Sequence, residues 1–247
     1  MAQRASGRAG RAAKATAGTD AIEVKVTVVD RQEAMALRKF GLARGQAQRR
    51  RIFFYDTRDL ALYKSGVALR ARATGDDCDS TVKIRPVVPK RIADKWRKQD
   101  GFKVESDAVG AKMICSASFT IAQKPKEIAK VARGSRAIAK LFSGEQEAFL
   151  NEIAPVPVDF TKLVPLGPVA VLRWKFQHEG LPYELYVEEW RLPDGCDVIE
   201  LSIKAKQAQA AAAQAALDGF LVELGIAPET RQQTKTLTAL EYFARQK

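Results

Sequence analysis

The sequence is that of a globular chain with a large excess of positive charge. It has 247 residues, of which 46% are hydrophobic and 28% are charged, and its formal net charge is +12. This length suits one large domain or two small ones, and no apolar run approaches the roughly 20 residues that a membrane-spanning helix needs. The charge predicts an anionic partner without distinguishing nucleic acid, nucleotide and inorganic phosphate.

Residues 1–20 are basic and rich in Ala, Gly, Ser and Thr, with no apolar core of the kind found in a secretory signal. They predict a flexible tail ahead of a single folded domain over 21–247. The three cysteines, Cys78, Cys115 and Cys196, form no CxxC pair, so neither a zinc site nor a disulfide framework is expected. A reducing, cytoplasmic location is the simplest interpretation.

The first half of the chain contains short segments that alternate apolar and polar residues, which predicts strands. Helical spacing over 31–45 predicts a helix ending near Gly45, and Ser65-Gly66 predicts a turn inside 60–74 with a strand after it. The other predicted strands are residues 21–29, 49–57, 79–88 and 102–109.

The second half begins with a segment, about 111–163, in which helical spacing predominates. Strands are predicted again at 169–177, 182–192 and 197–205, with a Pro193-Asp194-Gly195 turn between the last two. The Ala-rich segment 206–225 and residues 236–246 are predicted helices. Many strands with peripheral helices indicate an α+β fold whose sheet is closed or strongly curved.

Charged residues recur at i and i+2 on the predicted strands, which places them on one face of each strand. Alternation alone favours a solvent-exposed face of a one-sided sheet. Paired long cations, however, repel one another unless an anion neutralises them, and a few separate carboxylates suit a shared Mg²⁺ or Mn²⁺. The shared faces hold Glu23 and Lys25; Arg70 and Arg72; Lys83 and Arg85; Lys103, Glu105 and Asp107; Arg173 and Lys175; Glu184, Tyr186 and Glu188; and Glu200, Ser202 and Lys204.

The order of these motifs resembles that of the CYTH superfamily, also called triphosphate tunnel metalloenzymes. Residues 21–25, AIEVK, resemble the opening ExExK of that family, and residues 54–72, FYDTRDLALYKSGVALRAR, resemble its most specific segment. The later matches are Lys83, Lys103 with Glu105, Arg173 with Lys175, Glu188, Glu200 and Lys235. The resemblance covers about 21–245, nearly the whole chain.

The resemblance implies an eight-stranded antiparallel β-barrel, or tunnel, with peripheral helices, and cleavage of triphosphate compounds. Glu23 and Lys25 would be the catalytic pair, and Mg²⁺ or Mn²⁺ the cofactor. The implied metal ligands are Glu23, Glu105, Glu188 and Glu200, with Glu189 as the alternative if the strand register shifts by one residue. The implied phosphate-binding residues are Lys25, Arg70, Arg72, Lys83, Arg85, Lys103, Arg173, Lys175 and Lys235.

Two positions depart from the family pattern, because Ala21 and Ser202 stand where the family has carboxylates. From the resemblance we expect a metal-dependent triphosphatase, with inorganic triphosphate as the favoured substrate. We keep two alternatives. One is a class IV-type adenylate cyclase, and the other is a polyphosphate- or nucleotide-binding module with little catalysis. A triphosphate-containing small molecule is the expected partner, a membrane is not expected, and nucleic acid is supported by net charge alone.

Overall fold

The fold is known from a computed structural model that describes residues 21–28, 33–109, 112–195, 197–227 and 234–246. The predicted tail over 1–20 and Cys196 lie outside these residues. Nine strands form a closed barrel in the order β1-β5-β6-β4-β3-β2-β7-β8-β9. The strands are β1 (Ala21–Val28), β2 (Gln48–Asp56), β3 (Val67–Thr74), β4 (Asp77–Ile84), β5 (Phe102–Val109), β6 (Lys112–Gln123), β7 (Val164–His178), β8 (Leu181–Arg191) and β9 (Asp197–Ala205).

The α+β barrel with peripheral helices is confirmed, but eight antiparallel strands is wrong. The additional strand is β6, in a segment where the sequence indicated helices. Its alternation is weak because small residues occupy both faces, Ser116 and Ser118 on one and Cys115 and Ala117 on the other. Strand directions cannot alternate throughout a closed ring of nine, so at least one neighbouring pair must be parallel. That pair is β1 with β5.

Seven α-helices surround the barrel in the described part of the chain. The helix predicted over 31–45 is observed at Glu33–Lys39 and is therefore shorter than predicted. Gly41 follows it with a φ of +64°. The Ala-rich segment is helical as predicted, after a short 3-10 turn at Gln207–Gln209. The helices are α1 (Glu33–Lys39), α2 (Ala61–Lys64), α3 (Asp94–Arg97), α4 (Pro125–Ala132), α5 (Gly144–Ile153), α6 (Ala210–Glu223) and α7 (Lys235–Arg245).

The outward faces of the strands are apolar and form two cores with these helices. One core lies beneath α4 and α5, where Phe119 and Phe149 are buried, and the other beneath α6. Helix α5 is anchored by Gln146, whose amide donates to Phe119 O at 2.9 Å and Ser80 O at 3.1 Å. Because the apolar side chains point outward, the charged faces of the strands line the interior.

Helix α7 packs against one end of that interior. Ala239 and Leu240 join a buried cluster with the inward-facing side chains of Ile52, Phe54 and Trp190. The side chains of Lys175 and Lys204, by contrast, are 53% and 46% exposed. The interior is therefore covered at one end and open at the other. In the described residues, no helix combines the length and apolarity needed to cross a membrane.

Candidate functional site in the barrel interior

Strand register determines which predicted site residues share the interior. Glu188 is opposite both Arg173 and Glu200, and Lys25 is opposite Ser202. Since directly paired residues point to the same side of a sheet, the predicted charged faces all turn inward. The predicted residues that the strands carry into the interior are Glu23, Lys25, Arg70, Arg72, Lys83, Lys103, Glu105, Arg173, Lys175, Glu188 and Glu200.

Asp107 lies at the centre of the first interior group, which we call the Asp107 cluster. Its carboxylate contacts Lys25 Nζ at 2.8 Å, Lys83 Nζ at 3.4 Å and Arg85 Nη1 at 3.9 Å. Glu23 adds a second carboxylate 3.0 Å from Lys25 Nζ. The side chain of Asp107 is only 7% exposed, whereas those of Lys83 and Arg85 are 27% and 24% exposed. The cluster thus presents more cations than carboxylates to the interior.

The lysines of the Asp107 cluster differ in how firmly they keep their protons. Burial lowers the pKa of Lys25, but Asp107, Glu23 and Glu200 outweigh it and raise that pKa well above its ordinary value. The pKa of Lys83 is lowered, because burial and the neighbouring Lys25 and Arg85 outweigh Asp107. Lys25 is therefore a fixed charge, and Lys83 is the cation that stands to gain most from an incoming anion.

The second interior group, the Glu188 cluster, contains Arg50, Arg173, Glu188, Glu200 and Lys235. Lys235 is the first residue of α7 and reaches in to contact the carboxylates of both Glu188 and Glu200, the latter at 2.8 Å. Arg173 Nε and Arg50 Nη1 lie 3.5 and 3.6 Å from Glu188 Oε1. Four strands and the helix that covers the barrel thus meet at one pair of carboxylates.

Glu188 and Lys235 keep their charges at neutral pH. Burial raises the pKa of Glu188, but Lys235, a hydrogen bond from Trp190 and the charge of Arg50 outweigh it and hold that pKa well below its usual range. Burial lowers the pKa of Lys235, but Glu188 and Glu200 outweigh it and raise that pKa. Glu188 is therefore an anion that a cation can share.

Arg70 and Arg72 form a third part of the interior wall. Arg72 Nε donates to Asp79 Oδ2 at 2.8 Å, and Arg70 Nη2 lies 3.4 Å from Thr81 Oγ1. Arg70 Nε is buried without a hydrogen-bond acceptor among the described residues. A buried guanidinium donor without an acceptor costs free energy, which an anion in the interior would recover.

Two interior residues, Arg50 and Asp107, were given no role in the sequence analysis. Arg50 lies in a run of three arginines, and alternation cannot tell whether the first and third or the middle one points inward. Its pairing with Val171 places it inside, where its side chain is 10% exposed. Burial, Arg72 and Arg173 lower the pKa of Arg50 to about 10. Asp107 shares the predicted charged face of Lys103 and Glu105 and was a detectable candidate.

The alternative register for Glu188 and Glu189 is wrong. Glu189 is fully buried on the outward face, where its carboxylate pairs with Arg44.

Of the two departures from the motif pattern, Ser202 is a buried interior residue opposite Lys25 and Tyr186. The backbone of Ala21 pairs with that of Glu105.

The carboxylates of the interior provide only some of the ligands that a divalent cation needs. In the described residues, no three or more His, Cys, Asp and Glu side chains come together as a potential metal site. Glu188 and Glu200 come together as directly paired residues that share Lys235, whereas Glu105 lies beside Lys204 at 4.0 Å. Two carboxylates completed by phosphate oxygens and water form a usual Mg²⁺ site. The pair therefore fits a metal that arrives with a phosphate ligand.

Known structures share the architecture of this barrel. The chain superposes on a putative adenylate cyclase from Bacillus halodurans with a TM-score of 0.60 and 14% identity, over 88% of this chain and 96% of the other. The chain has the CYTH fold. A putative adenylyl cyclase from Hippeastrum, described as having a dominant triphosphatase activity, matches with a TM-score of 0.59 and 17% identity, over 88% and 93% of the two chains. No protein-family model matches the sequence, and the search of curated proteins found no match.

Proposed function

We propose that the protein is a divalent-metal-dependent hydrolase of triphosphate compounds, with inorganic triphosphate as its favoured substrate. The observation that carries this proposal is the cation excess of the CYTH barrel interior. The interior cations are Lys25, Arg50, Arg70, Arg72, Lys83, Arg85, Lys103, Arg173, Lys175, Lys204 and Lys235. The interior carboxylates are Glu23, Asp79, Glu105, Asp107, Glu184, Glu188 and Glu200.

Among the described residues, the cations of the interior outnumber its carboxylates and leave an excess of positive charge in a confined space. Such an excess is stable only with a polyanion or with many small counter-ions. A chain of three phosphates carries a comparable negative charge at neutral pH and is slender enough to lie along a barrel. The buried, acceptor-free Nε of Arg70 adds a donor for it.

The aromatic surface of the interior favours an inorganic substrate over a nucleotide. Arg173 covers the ring of Tyr186 at 4.7 Å, and Lys235 covers that of Trp190 at 5.1 Å. Since a cation already lies over each ring, a purine that stacked on that face would have to displace it. The cyclase alternative therefore receives less support than hydrolysis of triphosphate.

The proposed division of labour follows the two clusters. Lys83, Arg85, Arg70 and Arg72 would bind phosphate oxygens and set the direction of the chain. Glu188 and Glu200 would hold Mg²⁺ or Mn²⁺, which when bound neutralises charge on the phosphates and orients a water.

The catalytic pair would be Glu23 and Lys25. Glu23 is 3.0 Å from Lys25 Nζ, which together with Lys235 overcomes the effect of burial and lowers the pKa of Glu23. Glu23 is therefore ionised at neutral pH and free to accept a proton from water, while Lys25 holds it in place.

A second candidate function is a triphosphate-binding module with little catalysis. Lys235 already occupies Glu188 and Glu200, and Ser202 offers a hydroxyl where a further carboxylate would strengthen the metal site. In this alternative the lysine stays in place and the phosphates bind without metal.

A substrate panel distinguishes these functions. Wild type, Glu200→Ala and the exposed control Glu179→Ala would be incubated with inorganic triphosphate, thiamine triphosphate, ATP and triphosphate-ended RNA, with and without Mg²⁺ or Mn²⁺. We expect metal-dependent phosphate release, greatest with inorganic triphosphate and lost only in Glu200→Ala. Equal activity in Glu200→Ala and wild type would refute the metal assignment. Cyclic AMP from ATP would indicate a cyclase, and tight triphosphate binding without turnover would indicate a binding module.

A further inference from the structure

A second cavity lies outside the barrel, and of the charged residues of the interior site only Arg50 is among its lining residues. It is about 690 Å³ in volume and lies between α4 and the outward faces of β2 and β7. Helix α4 contributes Ile128, Ala129 and Ala132 to one wall. The volume lies within the roughly 300–1,000 Å³ range of small-molecule sites.

Small side chains shape the floor of this outer cavity. Strand register places Ala73, Arg51, Ala170 and Arg191 side by side across four neighbouring strands. The short alanine side chains leave a depression between the two longer arginine side chains. At Gly167, with a φ of +144°, a Cβ would lie 2.8 Å from Ile52 O, so only glycine allows this close approach of β7 to β2.

Four arginines surround that floor: Arg49, Arg51, Arg133 and Arg191. Arg191 Nε lies 3.6 Å from Asp197. Within the described ranges, the other three have no ion pair with a carboxylate, and all three are exposed. Three guanidinium groups that share one cavity repel one another, and each offers forked donors suited to phosphate.

We propose that this outer cavity binds an organic phosphate of the size of a nucleoside monophosphate. The phosphate would lie among Arg49, Arg51 and Arg133, and the body of the ligand would cover Ala170 and the apolar side of α4. The excess of unpaired arginines selects an anion, and the alanine floor with Ala129 and Ala132 of α4 selects a ligand with an apolar or planar part. An inorganic phosphate chain would leave that apolar surface wet.

The test is calorimetric titration of the full chain with AMP, in EDTA and with inorganic triphosphate present in excess to occupy the interior. We expect one AMP per chain. Arg51→Glu with Arg133→Glu should weaken AMP binding at least about tenfold, because the phosphate loses two charge-assisted hydrogen bonds. Ala170→Phe tests the floor without a charge change and should have a similar effect.

Two controls make the result specific. Arg91→Glu, an exposed arginine elsewhere, should bind AMP as wild type does, and so should the interior variant Lys83→Ala. The proposal is overturned if AMP does not bind, if excess triphosphate abolishes AMP binding, or if Lys83→Ala weakens it while Arg51→Glu and Ala170→Phe do not. Preferential binding of a hexaglutamate peptide at the same arginines also overturns it, since the cavity would then accept an acidic segment of a protein. Melting curves of each variant confirm that it is folded.

Discussion

The two charged clusters of the interior each contain three cations and two carboxylates, but they arrange them differently. In the Asp107 cluster one nearly inaccessible carboxylate serves three cations, Lys25, Lys83 and Arg85. In the Glu188 cluster two directly paired carboxylates share Lys235. The first cluster therefore offers partly exposed cations to a phosphate, and the second offers a pair of adjacent carboxylates to a metal ion.

This comparison separates binding from catalysis in the proposed function. Loss of Lys83 or Arg85 from the Asp107 cluster should reduce triphosphate affinity with or without metal. Loss of a carboxylate from the Glu188 cluster should reduce turnover, and should leave metal-free affinity nearly unchanged. Variants that failed to show this contrast would refute the division between the clusters.

Glu188→Gln should have the largest effect on turnover. The amide keeps the shape of the side chain but removes the charge that would hold the metal, and a metal contributes several kcal/mol to the stabilisation of phosphoryl transfer. We expect a loss of about 100-fold in kcat, equivalent to roughly 2.7 kcal/mol, measured by phosphate release at saturating Mg²⁺. The matched control is Glu184→Gln, a carboxylate of the same strand at the open end, where kcat should change less than about threefold.

Lys83→Ala should reduce the affinity for triphosphate by about tenfold, since a hydrogen bond to a charged group contributes roughly 1.5–3 kcal/mol. Calorimetric titration in EDTA measures this without hydrolysis. Lys95→Ala removes a lysine outside the barrel that pairs with Glu152, and it should leave the affinity unchanged. A fall in kcat at unchanged affinity in Lys83→Ala would place Lys83 in the catalytic step and contradict its assignment to binding.

Acid should destabilise the protein through the buried carboxylates. Burial raises the pKa of Asp107, but Lys25 and Lys83 outweigh it and lower that pKa, and the pKa of Glu188 is lowered as well. In the unfolded chain these groups take up protons near their ordinary values, about 3.9 and 4.3. Stability from both groups is thus present above about pH 5 and declines as pH falls through that range towards the folded pKa values.

Melting temperature as a function of pH measures this acid sensitivity. We expect a decrease of several degrees between pH 5 and pH 3 in wild type. Asp107→Asn should melt lower than wild type at pH 7, because three cations lose their counter-ion, and the gap should narrow at pH 3. A gap of constant size across this range would show that Asp107 stabilises the fold by shape and not by charge.

Lys175→Ala should have the smallest effect, less than about threefold on triphosphate affinity at physiological salt. Its side chain is 53% exposed at the open end, where water and salt screen its charge. Titrations at low and high ionic strength should show that the contribution of Lys175 disappears with salt, whereas that of Lys83 persists. Equal salt dependence for the two lysines would mean that the interior is uniformly hydrated.

Much of the barrel could be predicted because its strands carry paired charges on one side and β-branched residues on the other. That pattern predicted the strands that carry the two clusters. The order of the motifs implied that the sheet closes into a barrel. β6 was missed because Ser116, Ser118 and Ala117 give neither face a clear apolar character. With β6 absent from the prediction, the parallel pairing of β1 with β5 could not be foreseen either.

The candidate site was predictable as a set of residues but not as a set of contacts. Alternation identifies Lys83, Glu188 and Glu200 as inward candidates, but the choice of Lys235 as the shared partner of both glutamates depends on where α7 packs. The inward position of Arg50 depends on the register of β2 against β7. Alternation within β2 does not specify that register. Long-range packing, and not local pattern, decides both.

Helix α7 covers one end of the barrel with Ala239 and Leu240, and Lys235 projects from its first turn to the innermost carboxylates. A blind-ended channel of this kind admits a linear molecule only tip first. A long polyphosphate could therefore present only its terminal units, and cleavage would shorten it from the end. Each released fragment would have to leave through the open end, past Lys175 and Lys204, before the next molecule could enter.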